Sequence, residues 1–279
     1  MRLSWSTCLL LIIAQWYSAP SWTQPSQIDC AVSNEAEVTM VGLLGAHQHI
    51  SFRGTLLYER AGSRQFIDVD WSAGSGEARL RRLNRVADPA SEAWSPPVLT
   101  VARFCDLLRF YVPRVEQGRV IAAKSTRRLT LQPRDTLRLG YIVNVDGETG
   151  LPLAMMTADP DGKILERYEF ASIDLSGEND ALINPERAIG NESIESDLRG
   201  RSVLPGYYVV KDHATPAAFV VTDGLATASV FLEPLPPGAV PGEAGVIEGA
   251  TLAYTRGVSV AGQKDVLISV LGEVPMVTA

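Results

Sequence analysis

"LGYIVNVDGETGLPLAMMTADPDGKILERYEF", residues Leu139 to Phe170, carries apolar side chains at every second position in segments that two clusters of turn residues separate. The clusters are DGETG (Asp146–Gly150) and DPDG (Asp159–Gly162), which combine the Asp, Gly and Pro residues that tight turns favour. Alternation with a period of two residues is typical of strands that bury one face. The stretch therefore predicts a meander of three antiparallel strands joined by two turns.

One face of this meander is apolar and rich in aromatic residues and methionine. A strand predicted near residue 55 repeats the pattern and adds two more side chains to the face. Two interpretations remain open: a core packed beneath a helix, or a partly open groove for an acyl chain, since Met and aromatic residues suit adaptable apolar sites. The second interpretation gives a candidate ligand-binding set: Leu56, Tyr58, Tyr141, Val143, Met155, Tyr168 and Phe170.

The segment before the meander predicts one helix and further strands. Asn34 followed by Glu37 is a candidate capping box for a helix that ends near His49, with Val38, Val41 and either Leu44 or Gly45 on one face. Strands are predicted at Ser51–Glu59, Arg64–Trp71, Glu77–Val86 and Val120–Leu131. Residues 88–97 predict a loop, and residues 98–115 show no clear period.

The second half of the chain has a different character. Residues 176–205 are polar with little periodicity and predict a linker. A smaller β-rich unit follows, but Pro234–Gly245 holds too much Pro and Gly to predict a strand. Its strands are predicted at Gly206–Lys211, Ala218–Thr222, Leu225–Glu233, Thr251–Gly257 and Asp265–Gly272.

The first residues predict export. Arg2 precedes the short apolar run Cys8–Ala14, and small residues at Ser18–Ser21 fit a signal-peptide cleavage site after Ser21. An uncleaved anchor is the alternative. The expected organisation is a signal peptide (1–21), an N-terminal domain (28–175), a linker (176–205) and a C-terminal domain (206–279), in a mainly β fold with some α structure (α+β).

Two cysteines, Cys30 and Cys105, remain after cleavage. In an oxidising compartment such a pair is a candidate disulfide. Two separate, buried free thiols are an equally good interpretation, because the sequence does not show whether the two Cα atoms come close enough for a bridge.

Charge argues against nucleic acid as a partner, since the formal net charge is −7. The imbalance lies in the second half, where residues 176–279 carry 6 Lys and Arg against 13 Asp and Glu. The first half is nearly neutral and rich in Arg. We expect seven of these Arg side chains on solvated faces, where their planar forks also suit phosphate or carboxylate: Arg79, Arg81, Arg85, Arg127, Arg128, Arg134 and Arg138.

No arrangement of residues indicates catalysis, a metal or a cofactor. The sequence lacks a nucleophile elbow, a phosphate-binding loop and a dinucleotide motif. His47 and His49 have no Cys or His cluster beside them, so they predict a surface pair at a helix end. Asp68 and Asp70 fit a solvated strand face better than a carboxylate pair in a cleft. We therefore expect a protein that is not an enzyme.

Several segments, in the same order along the chain, resemble the MucB/RseB family of periplasmic regulators. The quoted segments are ISFRGTLLYERAG (Ile50–Gly62), LQPRDTLRLGYIVNVDGETGLPL (Leu131–Leu153), DGKILERYEF (Asp161–Phe170), VTDGLATASVFLEP (Val221–Pro234) and LGEVP (Leu271–Pro275). The resemblance implies an N-terminal domain like the lipoprotein carriers, with a curved antiparallel sheet around a helix, and a smaller β-rich C-terminal domain.

The resemblance also implies a function. A member of this family would bind the periplasmic part of an anti-sigma factor, protect it from proteolysis and so restrain an envelope-stress sigma factor. Lipid or lipopolysaccharide would release the partner. The stretch from Asp88 to Val115 is shorter than the family pattern, which implies a shallower groove. A periplasmic carrier of lipid or lipoprotein is the alternative function, although a carrier has no need of the second domain.

Overall fold

Two antiparallel sheets and two helices form the structure, a computed structural model that describes residues 32–73, 75–84, 104–176, 204–212, 218–236, 241–259 and 265–279. The mainly β fold expected from the sequence is confirmed. The predicted signal peptide, Cys30, the loop at 88–97 and nearly all of the predicted linker lie outside the described residues.

The first sheet contains eight strands that bury one face of the meander. In chain order they are β1 (Ser51–Arg60), β2 (Ser63–Ser72), β3 (Glu77–Arg82), β4 (Tyr111–Gln117), β5 (Thr126–Pro133), β6 (Gly140–Asp146), β7 (Pro152–Ala158) and β8 (Ile164–Ser176). Their spatial order is β3-β2-β1-β8-β7-β6-β5-β4, with antiparallel neighbours throughout. The predicted meander is therefore the centre of this sheet.

Helix α1 (Glu35–His49) begins at the predicted cap. The Asn34 side chain accepts a hydrogen bond from the Glu37 amide at 3.0 Å, while the Glu37 carboxylate accepts one from the Ser33 amide at 2.7 Å. The first bond satisfies an amide that the first helical turn leaves without a partner, and the second holds the residue before the cap against the helix. The predicted buried face is partly wrong, because Val38 is 46% exposed. The helix instead buries Met40, Leu43 and their neighbours against the sheet.

One glycine allows α1 to lie close to the turn between β6 and β7. Gly150 has a φ of 75°, and a Cβ atom placed on it would lie 2.7 Å from the carbonyl oxygen of Gly42 in the helix. Only glycine satisfies both the left-handed conformation and the close backbone approach. The DGETG turn is thus also a contact point for the helix.

The interior beneath α1 is divided into two adjoining clusters. One packs α1 and helix α2 (Phe104–Phe110) against β4, β5 and β6, with Tyr111 and Tyr141 at its centre. The other packs the end of α1 against β1, β2, β7 and β8. Met155 touches both clusters, so the two halves of the sheet share a continuous apolar interior.

The second sheet contains six strands. They are β9 (Tyr208–Asp212), β10 (Ala218–Thr222), β11 (Thr227–Pro234), β12 (Glu243–Glu248), β13 (Thr251–Val258) and β14 (Val266–Gly272), followed by a 3-10 helix at Met276–Thr278. Their spatial order is β12-β13-β14-β11-β10-β9. A smaller apolar cluster around Leu252 covers one face of this sheet.

Three local features differ from the sequence prediction. The stretch at 98–115 includes α2 and most of β4, which are too short to show a clear period. The strand predicted from Val120 begins only at Thr126, because Ala122 and Ala123 adopt positive φ in a tight loop between the paired residues Ile121 and Lys124. The segment Pro234–Gly245 begins at the last residue of β11 and ends inside β12, a strand that was not predicted.

Candidate functional site

The seven residues of the candidate groove do come together, but they form closed core. Six of them are between 0% and 6% exposed, and Met155 is half-buried. Tyr168 and Phe170 pack edge to face at 6.3 Å between ring centroids, and Tyr141 lies 6.3 Å from Tyr111. The expectation that this face stays partly open is wrong for this structure, because α1 and α2 cover it.

An apolar cavity lies in the second sheet instead. Its volume is about 510 Å³, which is within the usual range for small-molecule sites. Side chains from β10, β11 and β14 line it, together with Leu204, Tyr207 and residues after β14. The principal apolar lining residues are Tyr207, Phe219, Val221, Val230, Ile268 and Val270. The sequence did not single out this cavity, because its lining comes from separate segments between Leu204 and Ala279 that meet only in the folded sheet.

Arg138 forms a buried connection between the two sheets. Its side chain is 0% exposed and is paired with Asp135 and with the Pro205 carbonyl. Its guanidinium lies 4.0 Å from the centroid of the Phe110 ring and 5.1 Å from that of Tyr207. The expectation that Arg138 lies on a solvated face is wrong, because it sits in the bend between β5 and β6, where strand alternation no longer applies.

Asp223 completes this connection from the second sheet. Its carboxylate is 0% exposed, lies 3.6 Å from Arg138 Nε and accepts a 2.7 Å hydrogen bond from the Tyr111 hydroxyl. It also accepts bonds from the amides of Leu225 and Ala226. Burial, followed by the neighbouring Asp223 charge, raises the pKa of Tyr111 well above its ordinary value. Tyr111 therefore keeps its proton and remains a donor across the boundary.

Because Gly206 has no side chain, the Arg138 guanidinium can lie directly against its backbone. The φ of Gly206 is 80°, and a Cβ atom on it would collide with the Arg138 guanidinium and the Phe110 ring. The Tyr207 hydroxyl then donates to the Leu137 carbonyl at 2.9 Å, and the Thr278 hydroxyl donates to the same oxygen at 2.8 Å. We name Tyr111, Arg138, Tyr207 and Asp223 the boundary cluster.

A second contact joins the sheets at the turn between β12 and β13. Arg60 Nε donates to the Glu248 carbonyl at 3.1 Å, and the Ala250 amide donates to the Glu166 carboxylate at 3.3 Å. The same Glu166 oxygen accepts from the Tyr58 hydroxyl at 3.2 Å. The described residues thus join the two sheets at two separate places, and from Val32 onward they belong to one compact unit.

The outer face of β1, β2 and β3 is charged and exposed, as the sequence predicts. Arg53 pairs with Asp70 at 2.6 Å, and Arg81 pairs with Asp68, with both Arg side chains 75% exposed. The Asp68 carboxylate also accepts a bond from the Thr55 hydroxyl, which contributes most to lowering its pKa. Exposed ion pairs of this kind contribute little to stability. Asp68 and Asp70 are accordingly held by arginines on an open face.

His47 is buried, which the sequence did not predict. It is 7% exposed and packs edge to face against Phe52 and Trp71, with ring centroids 6.0 Å and 5.6 Å away. The Trp71 indole donates to the His47 carbonyl at 2.9 Å. His49 remains exposed. The two histidines therefore do not form the expected surface pair, although the helix does end there.

Burial of His47 predicts acid sensitivity. Desolvation lowers the pKa of His47 from 6.5 to about 4. Below pH 6.5 the His47 imidazole becomes protonated in the unfolded chain, whereas in the folded chain it stays neutral until about pH 4. The free energy of unfolding therefore falls as the pH falls. Between pH 7.5 and pH 5 this effect lowers the free energy of unfolding of the wild type by about 2 kcal/mol. We expect His47→Leu to lack this part of the pH dependence. Urea unfolding at both pH values measures this, with His49→Leu as the exposed control; an unchanged pH dependence in His47→Leu would contradict it.

Cys105 is disulfide-bonded. Its partner lies outside the described residues, so the pairing with Cys30 remains a prediction. Among the described residues no group of three or more His, Cys, Asp or Glu is placed to hold a metal ion. In the same part of the chain, none of the helices has both the length and the apolar character that crossing a membrane requires.

Comparison with known proteins gives consistent matches. The MucB/RseB N-terminal domain matches residues 85–192, and the MucB/RseB C-terminal domain matches residues 201–279. The sigma factor AlgU regulatory protein MucB of Pseudomonas aeruginosa is 27% identical over 316 aligned residues, which cover 98% of this chain and 95% of that protein.

Solved structures agree with the sequence matches. The complex of Pseudomonas aeruginosa MucA and MucB has a chain that superposes with a TM-score of 0.65 and 25% identity, covering 88% of this chain and 96% of the other. A structure of MucB in complex with MucA(peri) gives 0.63 and 26%, with the same coverage of both chains. Both halves of the sequence and the arrangement of the fold thus lead to one conclusion: the chain belongs to the MucB/RseB family.

Proposed function

We propose that this protein is a periplasmic negative regulator that binds the periplasmic part of an anti-sigma factor. The observation that carries the proposal is the shared fold, over 88% of this chain, with a MucB that was solved in complex with MucA(peri). Binding would protect the anti-sigma factor from proteolysis and so restrain an envelope-stress sigma factor. The short apolar run after Arg2 supports export to the periplasm, with cleavage after Ser21.

The geometry favours a binding role over catalysis. The buried polar groups of the boundary cluster are paired with one another or with backbone carbonyls inside the protein, where they hold the two sheets together. Such a joint keeps surfaces from both sheets in a fixed relation, which lowers the ordering cost of binding an extended partner. We infer that the protein acts through its surface as a rigid binding platform.

Release by lipid or lipopolysaccharide requires an apolar site. The cavity of the second sheet is better suited to an acyl chain than the predicted face, because it is already open and its lining is mostly aliphatic and aromatic. The carrier alternative needs an open apolar face in the first sheet, and α1 and α2 cover that face. We therefore favour the regulator, with the cavity as its lipid site.

A protection assay tests the proposed function. The periplasmic segment of the anti-sigma factor from the same organism is incubated with a site-specific protease, with and without the mature protein. We expect cleavage of the segment to slow when the protein is present in excess, and a lipid added at saturating concentration to restore it. Equal cleavage rates with and without the protein would refute the proposal.

A further inference from the structure

Strand β12 is an edge strand with unusual exposure. It lies at the end of the second sheet, with β13 as its neighbour. All six of its residues are exposed. Among the strands whose side chains are all described, every other strand has at least one residue that is not exposed. Val246 is 63% exposed and Ile247 is 54% exposed. Two large aliphatic side chains on an edge that no described strand covers form a surface that natural proteins usually protect.

The hydrogen-bonding pattern shows which backbone groups face outward. The Gly257 amide donates to the Gly242 carbonyl at 2.8 Å, so this opposed pair exchanges bonds inside the sheet. Bonded and non-bonded pairs alternate along an antiparallel ladder. Glu243, Gly245 and Ile247 therefore direct their N–H and C=O groups away from β13. Nothing in the described part of the chain forms a backbone hydrogen bond with these outward groups.

Apolar side chains lie on both faces of this edge. Ile247 stands opposite Leu252, which is 0% exposed in the cluster of the second sheet. Met276, 43% exposed, reaches the same face, since a Cβ atom on Gly245 would lie 3.1 Å from its methyl carbon. Val246 points to the opposite face. A strand added here would extend the apolar cluster on one face and cover Val246 on the other.

Charge at the two ends of β12 indicates what kind of strand fits. Glu243 and Glu248 place a carboxylate at each end of β12, so a strand with acidic ends would be repelled from this edge. A strand with apolar residues in the middle and Lys or Arg at its ends would instead be attracted. The acidic surplus of residues 176–279 acts in the same direction.

We propose that the periplasmic segment of the anti-sigma factor docks on β12 as an added strand, through a stretch that places Lys or Arg beside Glu243 and Glu248. This inference rests on the proposed function, from which it takes the partner. Backbone bonds to Glu243, Gly245 and Ile247 supply affinity, and contacts with Val246, Ile247 and Met276 supply specificity.

Ile247→Pro tests the proposed backbone hydrogen bonds directly. Proline removes the outward N–H that the added strand needs but leaves the bonds between β12 and β13 in place. We expect it to weaken binding of the purified anti-sigma periplasmic segment by about tenfold or more. Ile247→Lys, which repels a basic strand and needs no change in backbone conformation, should weaken binding similarly. Val38→Lys changes an aliphatic residue of comparable exposure on α1 and should bind as the wild type does.

Calorimetric titrations of the mature full-length protein, with thermal melts of each variant, give separable outcomes. Weaker binding by both Ile247 variants at wild-type melting temperature supports the docking site. Wild-type affinity in Ile247→Lys overturns it and leaves the proposed function intact. If the wild type itself does not bind the segment, the proposed function and the docking site are both overturned.

Discussion

Replacing Arg138 with methionine is expected to lower the free energy of unfolding by about 3–5 kcal/mol, although the change keeps most of the aliphatic volume. Asp223 is 0% exposed, and its charge would remain buried beside the Tyr111 hydroxyl without the guanidinium. The Pro205 carbonyl and the rings of Phe110 and Tyr207 would lose their shared partner as well. The loss is large because every one of these groups is buried at the boundary between the sheets.

A double-mutant cycle separates this connection from general packing. Arg138→Met, Asp223→Asn and the combined variant are unfolded with urea, and we expect a coupling free energy above about 1 kcal/mol between the two positions. Arg134→Met is the control, because Arg134 is exposed in the same bend and should change stability by no more than about 0.5 kcal/mol. Additive effects of Arg138 and Asp223 would show that the pair does not act as a unit.

Tyr141→Asp is expected to unfold the first sheet, with a loss of more than about 4 kcal/mol. Tyr141 is 2% exposed among α1, Leu129 and Tyr111, so the substitution removes a buried ring and leaves a carboxyl group without a partner. Partner and lipid binding should then be lost together with stability. Thermal melts alongside both titrations measure this, and Ile164→Asp, at an exposed position of the same sheet, should leave all three unchanged.

A different result would restore the open groove predicted from the sequence. If Tyr141→Asp melted like the wild type and lost only lipid binding, the face that carries Tyr141 would have to be accessible to ligands. The structure predicts the opposite outcome, because the side chains of α1 and α2 fill the space above that face. The lipid site would then lie in the cavity lined by Phe219 and Val270.

Local sequence patterns were sufficient for the meander and most of the second sheet. DGETG and DPDG encode their turns through residues that tolerate tight backbone conformations, and alternation determines which side chains share a face. Strand Ala218–Thr222 has the predicted bounds, and Asn34 caps α1 as expected. These features depend on neighbours within a few residues.

Features that depend on distant contacts were missed. Alternation brings Tyr141, Met155 and Phe170 to one face, but whether a helix covers that face depends on how α1 packs, which a strand pattern does not encode. Nothing in the residues around Arg138 distinguishes it from an exposed arginine. It is buried because its guanidinium pairs with Asp223, which lies 85 residues later in the chain. The cavity of the second sheet likewise exists only after four separate segments meet.

The central claim is most directly tested by isothermal titration of the mature protein with the purified periplasmic segment of the anti-sigma factor from the same organism. We predict saturable binding with one defined stoichiometry, weakening as salt rises, because the C-terminal half is acidic. The absence of any binding heat or complex by size-exclusion chromatography, with a protein that melts cooperatively, would contradict the account.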